Sequence, residues 1–588
     1  MARALLLRAV MKTIVRFVCF AAVLGSALGC GSTERSSDLE QQSDSERPSA
    51  ANRAAQPATD IAPKEESCSD NPLLAGCNGQ STVPAAAGAA ATPAGNTASA
   101  APPAAPGDRY SAPGTNPFVM VAHDPLSTFA VDVDTASYDL FRRDAQSGSL
   151  PAPDSVRVEE YVNYFAYDYP QGEYDAEVPF DIDLAAAASL YGAERTLLRV
   201  GLQGKKAPPP SAKKPTNLVF LIDVSGSMSS SDKLPLAQQV ATQTLDLLQP
   251  SDTVSLVTYA SGTAVRLGPT PASQREAIVQ AIQALSAGGS TAGASGIDLA
   301  YREAEAGFIA QGLNHIVLCT DGDFNVGPSS TGELLELIRQ KRRTGITFTA
   351  LGFGAGNLND AMLEAVSNAG NGFYGVISSE EQAARYVDER MLSTLSLIAR
   401  DMKVQVEFNP ELVSAYRLIG YENRAIADQD FRNDTVDAGE IGAGHRVTAL
   451  YELVLSGAAV PQLSGAPEAE SGEPFAGPRE VAASDLVQVK IRYKGVNATE
   501  QDPALEVSAR LAPAAIAPNL ESANPDLAWA ASVASFAELL KHSPYADGAA
   551  LESIARVFES QRGRDADRQE FYELFSGART LMAGTATP

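Results

Sequence analysis

The chain has 588 residues, 45% of them apolar, and a formal charge of −26. That length is too great for one ordinary core and predicts two or three domains with tails, while the apolar share is enough to fill them. The charge excludes nucleic acid as the partner, because no basic patch is left to pair phosphates, and gives no support for docking on anionic lipid; it reads as solubility, mildly friendly to divalent cations.

The chain opens with Arg3, Arg8, Lys12 and Arg16, then an apolar run from Phe17 to Leu28. The run is short for a bilayer span and ends in small residues, which predicts a secretory signal over 1–29, with Met11 as an alternative start. Its end, Ala27-Leu28-Gly29-Cys30, resembles a bacterial lipobox with the usual Leu and small residue exchanged. The resemblance implies lipidation at Cys30 and an exported lipoprotein of the bacterial cell envelope, held at the outer membrane on its periplasmic or surface face. The alternative is an ordinary signal peptide with a coincidental cysteine. Residues 30–115, rich in Ala, Pro, Ser, Thr and Gly, cannot offset their ordering entropy and predict a flexible linker. Within it, Cys68 and Cys77 form a disulfide or remain two thiols; export permits the disulfide. Cys319 falls in an apolar strand and reads as a buried thiol, and the cysteines and histidines form no zinc set.

Residues 116–215 form a region ahead of the central domain. The aromatics of "YVNYF" (161–165) read as core rather than a base-stacking platform. "DVDTAS" (132–137) is near a phosphatase signature, but its threonine comes one residue early. It reads as a turn carrying caps, with a second cation site as the alternative.

Residues 216–392 alternate strand and helix. Strands are predicted at 218–222, 253–259, 315–319 and 346–353. Ala237, Val240, Ala241, Leu245 and Leu248 line one helix face. Near-continuous apolar strands predict an α/β fold, a doubly wound, mostly parallel sheet covered on both sides, with ligands bound beyond the carboxyl ends of strands. In "DVSGSMSSSD", Asp223, Ser225 and Ser227 follow the first strand and converge three oxygens. Thr291 lies in a Gly-rich loop, and Asp321 ends another strand. These hard oxygen donors suit Mg²⁺, or Mn²⁺ or Ca²⁺, and leave one position open for a carboxylate of another protein. The bland alternative is a helix start with Asp and Ser caps. Asp232, Asp323 and Asn325 read as solvated loop residues.

Asp223, Ser225, Ser227, Thr291 and Asp321 together resemble the metal-ion-dependent adhesion site of the von Willebrand factor A-type domain. "LSTFAVDVDTASYDLFRRDAQSGSLPAPDSVRVEEYVNYFAYDYP" (126–170), "TDGDFNVG" and "DAGEIGAGHRVTALYELV" are similar to the YfbK-like A-domain lipoproteins, a resemblance covering about 117–588.

Residues 393–588 change pattern. Period-two alternation at 404–408, 447–455 and 487–493 predicts antiparallel strands of a sandwich-like domain. Residues 461–480 read as an exposed loop, and Asn524-Pro525 as the cap and first turn of a C-terminal helix.

Three functions follow. The first is a membrane-anchored, non-enzymatic protein that binds an acidic residue of a partner protein through the metal. The second is an envelope scaffold without metal-dependent binding. The third, least supported, is a hydrolase with Ser225 or Ser227 as nucleophile and His315 or His445 as base, on a sequence that lacks the Gly-x-Ser-x-Gly elbow.

Overall fold

The computed structural model describes residues 107–131, 134–190, 192–290, 293–322, 331–434, 436, 438–498 and 502–585. The signal segment, Cys30, Cys68, Cys77, Asp132, Thr291, Asp323 and Asn325 lie outside the described residues. Among those described, no helix is long and apolar enough to cross a membrane.

The strand Thr216–Asp223 is buried along its whole length. Its run of Leu, Val, Phe and Ile has no polar face to offer water, so it takes the centre of a sheet. That six-stranded sheet runs 374–377, 346–353, 313–320, 216–223, 253–259, 263–271. Every neighbouring pair is parallel except the last, 253–259 with 263–271. All four predicted strands are present. The two flanking strands are additions: Tyr374–Ile377 is four residues long, and Thr263–Pro271 is the half-exposed antiparallel edge.

Helices cover both faces. Leu234–Thr244 and Arg275–Gln283 bury Leu236, Ala237, Val240, Ile278 and Ile282 against one. Gly293–Ala306, Thr331–Arg343 and Asp360–Ala369 bury Ile297, Tyr301, Ile338 and Leu363 against the other. The buried amide of Asn217 donates to the Ala304 carbonyl at 2.9 Å and accepts from Thr253 Oγ1 at 3.1 Å, so the strand's one central polar side chain is satisfied.

From 393 to 517 the chain adds two further sheets, antiparallel except where 516–517 pairs with 180–189, and the segment before 216 shares them. One six-stranded sheet runs 119–120, 413–419, 446–455, 192–204, 180–189, 516–517. A second contains 439–442, 397–408, 487–495 and 505–511, with 126–130 paired to 397–408. The sheets face each other over Leu198, Val200, Val404, Val406, Val447, Val489 and Ile491. The outer face of the first sheet is covered by helices Ala136–Gln146, Pro525–Leu540, Leu551–Gln561 and Ala566–Thr585. Tyr161, Tyr164 and Phe165 are buried there around Trp529 and Phe571. Asn524 Oδ1 accepts from the N–H groups of Asp526 and Leu527 and caps the helix that Pro525 begins. The loop 461–480 is largely exposed but is fixed at Glu470, whose N–H donates to the Phe118 carbonyl at 2.7 Å.

Buried ion pairs tie the parallel-sheet domain to the sandwich. Arg157, 2% exposed, pairs with Glu160 and donates to Asp360 Oδ2 and Oδ1 at 2.7 and 3.1 Å. Arg424 donates to Asp134 Oδ2 at 2.8 Å, and Asp134 Oδ1 accepts from the Tyr374 N–H at 2.7 Å.

Candidate metal centre

The winding of the parallel sheet reverses between 216–223 and 313–320. The chain first steps from 216–223 to 253–259 on one side; the later strands stack on the other. Loops leaving these two strands diverge and open a cleft beyond their carboxyl ends. Asp223 ends one of them, and Thr320 and Asp321 end the other.

Asp223 is fully buried. Its Oδ1 accepts from the Ser225 N–H at 2.8 Å and its Oδ2 from Thr320 Oγ1 at 3.1 Å, so the cleft's two walls share one carboxylate. Ser225 Oγ and Ser227 Oγ stand 3.0 Å apart. Neither serine acts as a helix cap. Ser225 occupies the cap position of the short turn Gly226–Ser229 without a side-chain bond to it, and Leu234–Thr244 starts at Lys233. Asp232 accepts from Ser230 Oγ.

The Gly-rich loop is latched to this turn. The Gly226 N–H donates to the Gly289 carbonyl at 3.0 Å, and the Gly288 N–H donates to the Val224 carbonyl at 2.7 Å. Gly289 has φ +90°, and a Cβ there would stand 2.5 Å from Ser261 Oγ, so a side chain is excluded twice over. Thr291 itself is outside the described residues.

Asp321 is 1% exposed and accepts from Lys233 Nζ at 2.9 Å. Lys233 reaches it past Gly354, where a Cβ would come within 2.7 Å of the lysine Cγ. Spacing gave no signal for this lysine; only the folded backbone brings the helix start over the end of a strand 88 residues away. Burial, and the nearby charge of Asp321, push the Asp223 carboxyl above its usual range. The cleft thus holds two buried carboxylates, one of them paired with an ammonium, beside two hydroxyls. That donor set fits a hard divalent cation, which would take up the surplus negative charge.

Lys233→Met tests the ammonium's part. Its removal leaves the cleft with one more unit of negative charge, so Mg²⁺ is expected to bind on the order of tenfold tighter. Calorimetric titration reads this, and an unchanged or weaker affinity contradicts it.

A second carboxylate group, Asp134, Glu160 and Glu364, brings one oxygen from each residue within 4.8 Å of the others. Its oxygens are already committed: Asp134 to Tyr374 and Arg424, Glu160 to the Ser137 N–H at 2.7 Å and to Arg157. Asp134, from "DVDTAS", is a buried cross-link between segments. Thr135 stands at the start of Ala136–Gln146 without a capping bond.

The candidate bases lie elsewhere. His315 is buried in its strand against Thr347 Oγ1 at 2.6 Å, and burial pushes it down to about 3. His445 is pushed down to about 3 by burial and neighbouring arginines, and faces Arg390 at 3.4 Å. Burial pushes the Cys319 thiol up and keeps it protonated.

Three family models match the chain in succession: von Willebrand factor over residues 105–199, von Willebrand factor type A domain over 217–389, and the C-terminal model of uncharacterized protein YfbK over 393–581. Uncharacterized protein YfbK of Escherichia coli K12 is 36% identical over 479 residues, 79% of this chain and 80% of that one. Inter-alpha-trypsin inhibitor heavy chain H3 of Rattus norvegicus is 28% identical over 186 residues, 30% of this chain and 21% of that one. Among solved structures, a von Willebrand factor type A protein from Catenulispora acidiphila is similar at 17% identity and TM-score 0.38, over 70% of this chain and 89% of that one.

Proposed function

The chain belongs to the YfbK family of von Willebrand factor type A domain proteins, and on that premise we propose that it is a non-enzymatic binding protein whose divalent cation captures an acidic side chain of a partner protein. The observation that carries this reading is the paired hydroxyls of Ser225 and Ser227, 3.0 Å apart, beside the buried carboxylates of Asp223 and Asp321. Neutral hydroxyl donors leave a bound Mg²⁺ or Mn²⁺ short of negative charge. An incoming carboxylate would supply that charge at the open position, with Thr291 completing the set.

The same proposal places the protein in the cell envelope as a lipoprotein anchored through Cys30. The described chain begins beside the metal loops. Asp108 Oδ1 accepts from the N–H groups of Gly356 and Leu358, both at 2.9 Å, and Leu358 lies against Gly322.

The experiment is crosslinked copurification of the full-length protein from its native envelope, with Mg²⁺ and with EDTA. Partners retained in Mg²⁺ and lost in EDTA are expected. The Lys233–Asp321 ion pair favours a second reading, a scaffold whose cleft is balanced by lysine and needs no ion. Partners equally retained in EDTA would decide for it.

A further inference from the structure

At the opposite end of the parallel sheet, where strands 313–320, 346–353 and 374–377 begin, lies a cavity of about 1080 Å³. Asn314 and Thr347 line one wall, from the starts of two of these strands. The start of the 397–408 strand and the segments 423–426, 438–442 and 496–498 of the sandwich line the other. Among the described residues, none of those at the metal site lines it.

Its charge is opposite to that of the chain. The protein as a whole carries −26. Among the described residues, this cavity is lined by Lys213, Lys214, Arg342, Arg390, Arg400 and Arg424, against the single carboxylate of Glu440. Arg424 is matched by Asp134, and Arg400 lies 3.4 Å from Glu440. Lys213, Lys214 and Arg390 hydrogen-bond to neutral groups. Arg342 donates to Asn371 Oδ1 at 2.8 Å, Lys213 to the Leu247 carbonyl at 3.5 Å, and Lys214 to the Val496 carbonyl at 3.4 Å.

Arg390 is the sharpest case. It sits on a π-helical turn, Tyr386–Met391, that interrupts the helix from Glu380, an irregularity that recurs at functional sites. Its guanidinium rests on the Phe373 ring at 4.9 Å, donates to the Asn163 carbonyl at 3.2 Å and faces the neutral His445 ring. Burial pushes it below the usual arginine range; burial and the charge of Arg400 do the same to Lys214. The carboxylates of Glu389, Asp134 and Asp139 offset part of the Arg390 charge, and an anion in the cavity would add to that compensation. Asn368, Asn423 and Asn497 add amide donors around the same space.

We propose that this cavity is a binding site for a small polyvalent oxyanion, a multiply phosphorylated or multiply carboxylated molecule, seated between the parallel-sheet domain and the sandwich and contacted by Arg390, Arg400 and Lys214. Guanidinium forks satisfy phosphate and carboxylate oxygens alike. The walls come from strand ends and loops rather than a continuous open sheet edge, which favours a compact anion over an extended acidic peptide. The site is independent of the cation at the other end of the sheet.

The test titrates tripolyphosphate and citrate into the full chain at fixed ionic strength, with chloride as control, by calorimetry and thermal melting. Saturable heat and a rise in melting temperature are expected for at least one polyanion, with nothing from chloride. Arg390→Gln is expected to weaken binding about tenfold, as loss of a charge-assisted contact does. If that variant fails to fold, Arg400→Gln, at the half-exposed mouth, is expected to weaken it in the same direction. Sedimentation with phosphatidylglycerol vesicles separates sources: binding released by tripolyphosphate assigns a lipid headgroup, and failure to sediment, with the polyanion still bound, assigns a soluble one. No saturable binding, affinity unaltered in both variants, or binding only of a polyglutamate peptide would overturn the proposal.

Discussion

Asp223→Ala is expected to remove divalent-cation binding. Mg²⁺ titrated into the variant should give no saturable heat, a loss of more than about 100-fold, since outer-shell partners alone are worth 10–100-fold. The reason lies in where the carboxylate sits. Asp223 ends the central strand, is fully buried, and its two oxygens bind the turn on one side and Thr320 on the other. Without it, Ser225 loses the acceptor that shapes the turn, and only the carboxylate already claimed by Lys233 remains. Stability separates this from general damage. The substitution deletes two buried hydrogen bonds but also relieves the burial of a charge and the repulsion from Asp321 that together push Asp223 up. Melting temperature in EDTA should therefore stay near that of the parent. In Mg²⁺ at about 100 times its Kd the parent gains roughly 2.7 kcal/mol and the variant gains nothing. A variant that still gains would contradict the site.

The largest loss of stability is expected from Arg157→Met. Arg157 joins Glu160, on its own helical turn, to Asp360, 203 positions away in the chain, and all three are buried. Removing one partner from such a set leaves carboxylates uncompensated and costs about 3–5 kcal/mol, readable by urea unfolding. The pH dependence is specific. Burial outweighs the attraction of Arg157 and pushes the Glu160 carboxyl well above its ordinary range. The folded state therefore holds a proton that the unfolded state releases near its ordinary value of 4.5. Between the ordinary and the raised value the contribution of Glu160 to stability falls as pH rises, and without Arg157 it falls over a wider range. The cost of Arg157→Met should be smaller at pH 5 than at pH 8. A cost that is equal, or larger at pH 5, would contradict the assignment.

What the sequence made legible was local. Five apolar residues ending in Asp-x-Ser-x-Ser mark a buried strand and its turn without reference to anything else, and Asp321 marks its neighbour in the same way. What stayed hidden depends on distant partners. The strand Phe180–Ser189 contains four consecutive alanines, Ala185–Ala188, which carry no strand signal, and it forms through pairing with Gly192–Gly204. Tyr374–Ile377 is too short, with Gly375 inside it, to show a period. Lys233 could be seen only as a residue before a helix. Its meeting with Asp321 is set by the packing of that helix on the sheet, as is the meeting of Arg157 with Asp360.

The central claim is tested most directly by growing crystals of the folded unit, soaking them in Mn²⁺ and recording anomalous diffraction. The account predicts an anomalous peak in the cleft bounded by Asp223, Ser225, Ser227 and Asp321. A saturated soak with no peak there, or with Mn²⁺ only at Asp134, Glu160 and Glu364, would contradict it.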